Sequence, residues 1–249
     1  MIAQTSSAWT LTPTHTVTPT TTPSPTFTLT PSPSPSPSGT ATETPPLVLF
    51  EERFKDELTC FRLHSLDEGI DFSIIKSEYH VSVSKPQTWV DSACDGNYED
   101  FVLEFELHFL KKDDDSYAGV YTNAIFDDSF IFHISVDSYY CITHYDYALE
   151  ETFYFTGSAR NCWVALPDGI DLSQPLNIRV VSALHALAFS INDVLVHVLL
   201  DLDTNRGRFG LLVYNHQAPL TEVVFDDIIV RQASPEDLID ILAAQSTGG

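Results

Sequence analysis

Basic residues are scarce in this chain. It carries 12 Lys and Arg against 35 Asp and Glu, which gives a formal net charge of −23. So acidic a protein repels nucleic-acid phosphates and anionic lipid, and we expect neither as a partner. The same charge suits a soluble protein, or one that recruits divalent cations.

Long apolar runs and enzyme signatures are missing as well. No stretch of 18 or more apolar residues is present, so we predict no membrane-spanning helix. Residues 1–9 have neither the basic start nor the apolar centre of a signal peptide, so we take the leader as already removed, with synthesis without export as the alternative. The sequence has no G-x-S-x-G and no P-loop, which leaves no standard nucleophile or phosphate cradle.

Cysteine is limited to Cys60, Cys94, Cys141 and Cys162. No pair has the close C-x-x-C spacing of structural zinc sites, which disfavours zinc. An even number in an exported protein favours disulfides, with three possible connectivities. We favour Cys60–Cys94 and Cys141–Cys162, because each closes a loop between neighbouring segments, and buried free thiols are the alternative.

Thr, Ser and Pro dominate the start of the chain. Ten of the 15 prolines precede Leu47, and residues 11–46 are almost entirely these three types. Repeated proline fixes φ and removes hydrogen-bond donors, so this tract favours extended polyproline II and could reach on the order of 100 Å. We therefore predict that residues 1–46 are a stalk or linker, bare or O-glycosylated, which presents a head outside the cell or at its surface.

Alternation with a period of two dominates residues 47–232. In residues 101–109, large apolar side chains occupy every odd position, and Glu104, Glu106 and His108 occupy even ones, as in a strand with one buried face. Asn192-Asp193 between two apolar runs indicates a hairpin. About a dozen such strands predict an all-β, two-sheet antiparallel sandwich, with a closed barrel as the alternative.

One helix is predicted, in the tail of residues 233–249. Ser234 fits an N-cap, Pro235 fits the first helical position, and acids follow in the first turn. The helix either docks on the head, mediates a contact or frays.

A series of motifs in the head carries a resemblance. In chain order these are YEDFVLEFEL at 98–107, AGVY at 118–121, DDSFIFHIS at 127–135, LNIRVV at 176–181, INDVLVHV at 191–198, GRFGLLV at 207–213 and VVFDDIIV at 223–230. Through them the head resembles the concanavalin A-like lectin/glucanase superfamily, in particular bacterial laminin-G-like and 3-keto-disaccharide-hydrolase-like domains.

The resemblance runs from about residue 50 to residue 231 and implies a jelly roll of two antiparallel sheets, often used to bind glycans or other surface ligands. Two departures are visible. The usual Asn-Gly turn is Asn192-Asp193, and Thr122 or Asn123 stands where an Arg commonly follows the AGVY strand.

Glu104 and Glu106 are the candidate catalytic pair. Residues i and i+2 of a strand share a face with Cα atoms about 7 Å apart, which suits the two carboxylates of a retaining glycosidase. Laminarinase-type enzymes of this fold carry two glutamates flanking an aspartate on one strand. The matching series here is Glu104, Glu106, His108, so the triad is incomplete.

Calcium is the one metal that the sequence suggests. Asp201, Asp203 and Asn205 have the opening spacing of a calcium loop, but Arg206 and Leu212 stand at its sixth and twelfth positions. Acids and Asn also make ordinary turns. We therefore predict no obligatory cofactor, with calcium as a possibility.

Aromatic residues concentrate in the middle of the head and suggest ligand binding. The residues that we predict to contact a ligand are Tyr121, Asn123, Tyr140, His144 and Tyr145. The predicted function is non-catalytic binding of carbohydrate or another cell-surface ligand. The alternatives are a self-associating structural or adhesive subunit of an envelope, sheath or filament, and a glycoside-processing enzyme.

Overall fold

The computed structural model describes residues 45–55, 58–63, 67–111, 115–125, 128–146, 148–158 and 161–247. Residues 44–249 form one compact unit. The predicted stalk, bare or O-glycosylated, lies outside the described residues except for Pro45 and Pro46.

Within those ranges the chain forms fifteen strands in two antiparallel sheets and one helix. Sheet 1 contains β1 (Val48–Glu52), β2 (Ile70–Ile75), β3 (Glu78–Val83), β5 (Phe101–Lys111), β11 (Leu176–Ala183), β12 (Ala186–Ile191), β13 (Val194–Leu199) and β15 (Thr221–Gln232). Sheet 2 contains β4 (Thr88–Glu99), β6 (Tyr117–Ile125), β7 (Asp128–Ser135), β8 (Tyr139–Asp146), β9 (Glu151–Tyr154), β10 (Val164–Ala165) and β14 (Arg206–Asn215). The predicted two-sheet sandwich is confirmed.

Strand order places β5 in the middle of sheet 1 and β6 inside sheet 2. Sheet 1 runs β13-β12-β11-β5-β15-β3-β2, with β1 also paired to β15. Sheet 2 runs β10-β8-β7-β6-β14-β4, with β9 also paired to β8. Neighbours in both sheets are not always consecutive in sequence, as expected for a jelly roll.

The core forms where the apolar faces of the two sheets meet. The odd-numbered apolar residues of β5 are all buried, which confirms the predicted alternation. Across the core, the Phe132 ring of β7 stacks on the Phe189 ring of β12 at 4.9 Å. Each such side chain contributes roughly 1.5–3 kcal/mol on burial, so the alternation fixes which face of each strand is inside.

The predicted hairpin and disulfides are both present. Asn192 and Asp193 have φ of 49° and 62° between β12 and β13, the left-handed conformation that Asn and Asp tolerate in a tight turn. Cys60 is bonded to Cys94 and Cys141 to Cys162, the favoured pairing of the three.

The tail helix begins later than predicted. Helix α1 spans Ile239–Thr247, and the predicted start at Ser234-Pro235 is wrong. Residues 234–239 instead make i to i+3 backbone hydrogen bonds. The physical reason is that these bonds form the tighter turn that is common before an α-helix, and Asp237 closes that turn by accepting hydrogen bonds from Ser234 N and Oγ at 2.7 Å each.

Helix α1 docks on the outer face of sheet 1. Ile241 is fully buried in a small cluster with Val102, Val181, Ala183 and Ala186. Small side chains on β11 and β12 let the helix approach closely. Among the described residues, no helix has the length and apolar character needed to cross a membrane.

An ion cluster holds the tail to sheet 1. Arg179 and Arg231 donate to Asp237 at 2.6 Å each, and Arg231 also donates to Glu104 at 3.2 Å. Burial alone would raise the pKa of Asp237, but the hydrogen bonds from Arg231, Ser234 and Arg179 outweigh it and hold that pKa well below its usual range. The charged carboxylate is therefore the form that the fold stabilises.

We predict that Asp237→Asn destabilises the head by about 2 kcal/mol at neutral pH, because hydrogen bonds to a charged group are lost. Since the folded pKa is depressed, this stabilisation is present above the unfolded pKa of about 3.9 and is lost as pH falls below it. Denaturant titration at neutral and acid pH measures both. The exposed neighbour variant Glu236→Gln should stay within about 0.5 kcal/mol of the parent. If the difference in unfolding free energy between Asp237→Asn and the parent were the same at neutral and acid pH, this account would be contradicted.

Candidate functional site

The candidate site lies on the outer face of sheet 2, whose residues are set by strand register. On β7, Phe132 and Ile134 point into the core, so Ile131 and His133 point outward. A groove of about 580 Å³ lies across this face, and we call it the aromatic groove. Its lining includes Trp89, Asp91, Tyr117, Tyr121, Ile131, His133, Thr143, Tyr145, Tyr154, Trp163 and Arg208.

Four rings gather around Tyr117 at the start of β6. Its ring centroid lies 4.6 Å from Tyr214, 5.1 Å from His133, 5.4 Å from Trp163 and 6.0 Å from Trp89. Trp89 is 40 % exposed, so much of its ring faces solvent. Exposed rings held by other rings form a stiff apolar surface at low entropic cost.

One glycine lets the floor of the groove lie flat. Gly210 of β14 is opposite Tyr121 of β6. A Cβ at position 210 would lie 2.3 Å from Cζ of Tyr121, so only glycine lets the tyrosine ring lie against the strand. The ring therefore becomes part of the groove floor.

Polar groups occupy one end of the groove. The Tyr121 hydroxyl donates to Asp91 Oδ2 at 3.3 Å, and Arg208 lines the same end. Burial and then the Asp91 charge raise the pKa of Tyr121, against the lowering effect of Arg208. Arg208 comes from β14, so this sheet has a guanidinium although β6 lacks the arginine that is common in similar domains.

His133 sits in the floor as a neutral imidazole. Its Nε2 is 3.1 Å from Thr143 Oγ1, and its buried Nδ1 has no hydrogen-bond partner among the described residues. Burial lowers the pKa of His133 to about 3. The ring is therefore uncharged at neutral pH and contributes aromatic surface beside Trp89 and Trp163, at 5.7 and 6.2 Å.

A second hollow of about 520 Å³ continues the groove beyond Tyr117. The two hollows share Tyr117 and Trp163. Asp137, Tyr139 and Asn161 are among the polar and aromatic residues that line the second one. Trp163 is therefore a wall of both.

The structure brings two of the five predicted ligand residues to the groove, Tyr121 and Tyr145. Asn123 is buried, with Nδ2 donating to Thr204 O and Oδ1 accepting from Ser182 Oγ.

Tyr140 is in the core and donates to Val196 O at 3.4 Å. His144 stacks on the core residue Phe130 at 4.7 Å. The side chains of Asn123, Tyr140 and His144 lie on the inner side of sheet 2.

Trp89, Asp91 and Arg208 lie outside the sequence prediction, whereas Tyr117 and Trp163 belong to the aromatic residues concentrated in the middle of the head but are not among the five predicted contacts. A signal for the first two was present, because Trp89 and Asp91 alternate with the buried Val90 and Ser92 along β4. Trp163 could not be found by alternation, because it precedes the two-residue strand β10. Its position follows from its neighbour Cys162, which is bonded to Cys141.

Glu104 and Glu106 lie on the outer face of the other sheet. Glu104 Oε1 is 3.2 Å from Arg231 and 3.5 Å from Arg179. Burial first, and then the charges of Asp226 and Asp227, raise the pKa of Glu106. Both glutamates line a small hollow of about 250 Å³ that is separate from the aromatic groove.

The calcium candidates form a turn before β14. Asp201 has a φ of 58°, and the Asn205 side-chain amide donates to Asp100. Among the described residues, no three His, Cys, Asp or Glu side chains converge closely enough to share a metal ion. Calcium binding at Asp201, Asp203 and Asn205 stays a prediction.

Comparison with known proteins identifies the fold and not the activity. The sequence matches no protein-family model and no curated protein. The structure is similar to carbohydrate-binding module CBM66 from Bacillus subtilis, with a TM-score of 0.51 and 11 % identity over 68 % of this chain and 99 % of that one. It is also similar to the Bacillus licheniformis beta-glucanase, with a TM-score of 0.55 and 11 % identity over 74 % and 98 %.

A galectin-like protein of unknown function from Bacillus subtilis is similar as well, with a TM-score of 0.54 and 12 % identity over 75 % of this chain and 96 % of that one. The expected two-sheet jelly-roll fold is therefore confirmed. Because binding modules and a hydrolase share this fold, function has to be argued from the site.

We predict a pH signature for His133. Its folded pKa of about 3 lies below the ordinary value of 6.5, so between these values the unfolded chain binds the extra proton. Stability should be full above pH 6.5 and fall below it, by up to about 1.4 kcal/mol per pH unit from this residue. In His133→Gln this part of the slope should be missing, as measured by urea unfolding at several pH values. Equal slopes in both proteins would contradict a buried, neutral His133.

Proposed function

We propose that the head is a non-catalytic carbohydrate-binding module whose glycan ligand lies in the aromatic groove. The observation that carries the proposal is the set of neighbouring rings of Trp89, Tyr117 and Trp163 in the wall of one hollow. Sugars present flat C–H faces that stack on such rings, while their hydroxyls need a few well-placed polar groups. Rings and polar groups occur together in this groove.

The polar groups suit hydroxyl recognition. Asp91 accepts hydrogen bonds, Arg208 donates them, and both lie at the Tyr121 end of the groove. Acidic and basic groups together can bind the vicinal hydroxyls of a neutral sugar. The polar groups at this end would set the orientation of the ligand. The rings would supply most of the affinity.

The number of carboxylates in the groove supports binding over hydrolysis. Most glycosidases need two carboxyl groups across the scissile bond. Among the described residues that line the groove, Asp91 is the one carboxylate. The predicted pair Glu104 and Glu106 lies on the other sheet, and Glu104 is engaged by Arg231 and Arg179. Release of reducing ends from a glycan, abolished by Glu106→Gln, would support the enzyme alternative instead.

Export is part of the proposal. Two disulfides support an extracellular or cell-surface location, because disulfides persist in oxidising compartments. The Thr- and Pro-rich residues 1–46 are proposed to hold the head away from its anchorage.

A structural or adhesive subunit is the second candidate, and β9 favours it. Phe153, Tyr154 and Phe155 are 41–49 % exposed in and just after this strand, which pairs with β8. Exposed apolar edges promote association between chains. A monomer at high concentration in sedimentation analysis would argue against this candidate.

We predict that Trp89→Ala and Trp163→Ala each weaken glycan binding by about tenfold or more, because central aromatic contacts dominate such interfaces. The ligand is first found by screening the full chain on a glycan array with and without calcium. Isothermal titration then measures the variants.

Leu110→Ala is the matched control for these variants. Leu110 is 44 % exposed on β5, a sheet 1 strand, so its loss should leave affinity unchanged. Absence of binding to any glycan, or equal losses in the control, would refute the proposed function.

A further inference from the structure

We propose that the Cys141–Cys162 disulfide positions Trp163, so that the glycan site is assembled only in the oxidised protein. This inference rests on the proposed function and adds a regulatory condition to it. The bond joins β8, which forms part of the groove floor, to the residue just before Trp163.

The disulfide is part of the groove wall. Cys141 and Cys162 both line the aromatic groove, and both are at least nine-tenths buried. Cys141 is paired with His133 on the neighbouring strand β7. The covalent bond therefore anchors Trp163 directly to the strands that carry the floor.

Among the described residues, the other restraints on this segment are hydrogen bonds: Phe155 N donates to Ile142 O at 3.0 Å, and Ser158 and Asn161 share a pair of backbone bonds. Between β9 and β10, the Thr156 hydroxyl donates to Cys162 O at 2.7 Å, and Trp163 N donates to Asn161 Oδ1 at 3.1 Å. Beyond Trp163, β10 has only two residues, paired with Tyr139 and Tyr140. Single hydrogen bonds contribute modestly against the entropy of ordering such a connection. The disulfide is the one covalent restraint on it.

Displacement of Trp163 would alter both hollows of the site. The residue lines both hollows, and its ring lies 5.4 Å from Tyr117 and 6.2 Å from His133. Moving it would remove one of the two side chains that the hollows share. By contrast, Cys60–Cys94 lies outside the lining of both hollows.

The chemistry of the switch is thiol–disulfide exchange. A dithiol reductant transfers two electrons and two protons, the S–S bond breaks, Cys141 and Cys162 become thiols, and the reductant becomes a disulfide. The reverse reaction needs a disulfide oxidant of the kind that supplies oxidising compartments. Binding would thus be gained during or after export.

The test compares two double variants of the full chain. Cys141→Ala/Cys162→Ala should lose about tenfold or more in affinity for the glycan identified by the array, and adding Trp163→Ala should cost little further. Cys60→Ala/Cys94→Ala is the matched control and should keep the affinity of the parent, although it removes a disulfide from the same head. Circular dichroism checks that both double variants keep the β-sheet fold.

A second readout does not depend on the ligand. In a Trp9→Phe/Trp89→Phe background, Trp163 is the one remaining tryptophan. Removal of Cys141–Cys162 should make its fluorescence more accessible to acrylamide, and removal of Cys60–Cys94 should not. The inference would be overturned if removal of Cys141–Cys162 left the acrylamide quenching unchanged. It would also be overturned if the Cys141→Ala/Cys162→Ala variant bound the glycan as tightly as the parent. No glycan binding by the parent would instead refute the proposed function, with the quenching result still deciding the positioning role.

Discussion

The contact between the inner faces of the two sheets is the constraint on which the rest of the head depends. Because strand side chains alternate, burying Phe130 and Phe132 of β7 against sheet 1 sends Ile131 and His133 to the opposite surface. A shift of one residue in register would exchange the two sets. The aromatic groove is thus a consequence of the core. Its rings are where they are because the large apolar residues between them are inside.

The two outer faces of the sandwich differ in what covers them. On sheet 1, α1 covers small side chains of β11 and β12, and the arginine–carboxylate cluster around Asp237 closes over β5 and β15. On sheet 2, the described residues leave a broad hollow between Trp89 and Trp163. The acidic residues that looked most like catalysts lie on the partly covered face, and the rings that suit a sugar lie on the open one. This asymmetry is one basis of the proposal that the head binds a glycan.

Features that depend on local pattern were predictable, and those that depend on register were not. The alternation of β5 and the Asn192-Asp193 turn follow from residue types along the chain, while the disulfide pairing was favoured among three because each bond joins neighbouring segments. Tyr139 and Tyr140 show the limit of prediction from local sequence pattern. Adjacent strand residues must face opposite ways, but the choice is made by pairing with Ser135 and Ile134, and the outward ring is Tyr139. Asn123 likewise looked like a surface residue until its partners Thr204 and Ser182, distant in sequence, were placed.

The most direct test of the account is nuclear magnetic resonance of the three tryptophan indole N–H groups in the full chain during titration with a glycan. Two of them, Trp89 and Trp163, line the aromatic groove, and Trp9 lies in the predicted stalk. The account predicts that the signals of Trp89 and Trp163 shift together as the ligand saturates, while that of Trp9 stays in place. Saturable binding that leaves both groove signals unmoved would contradict it.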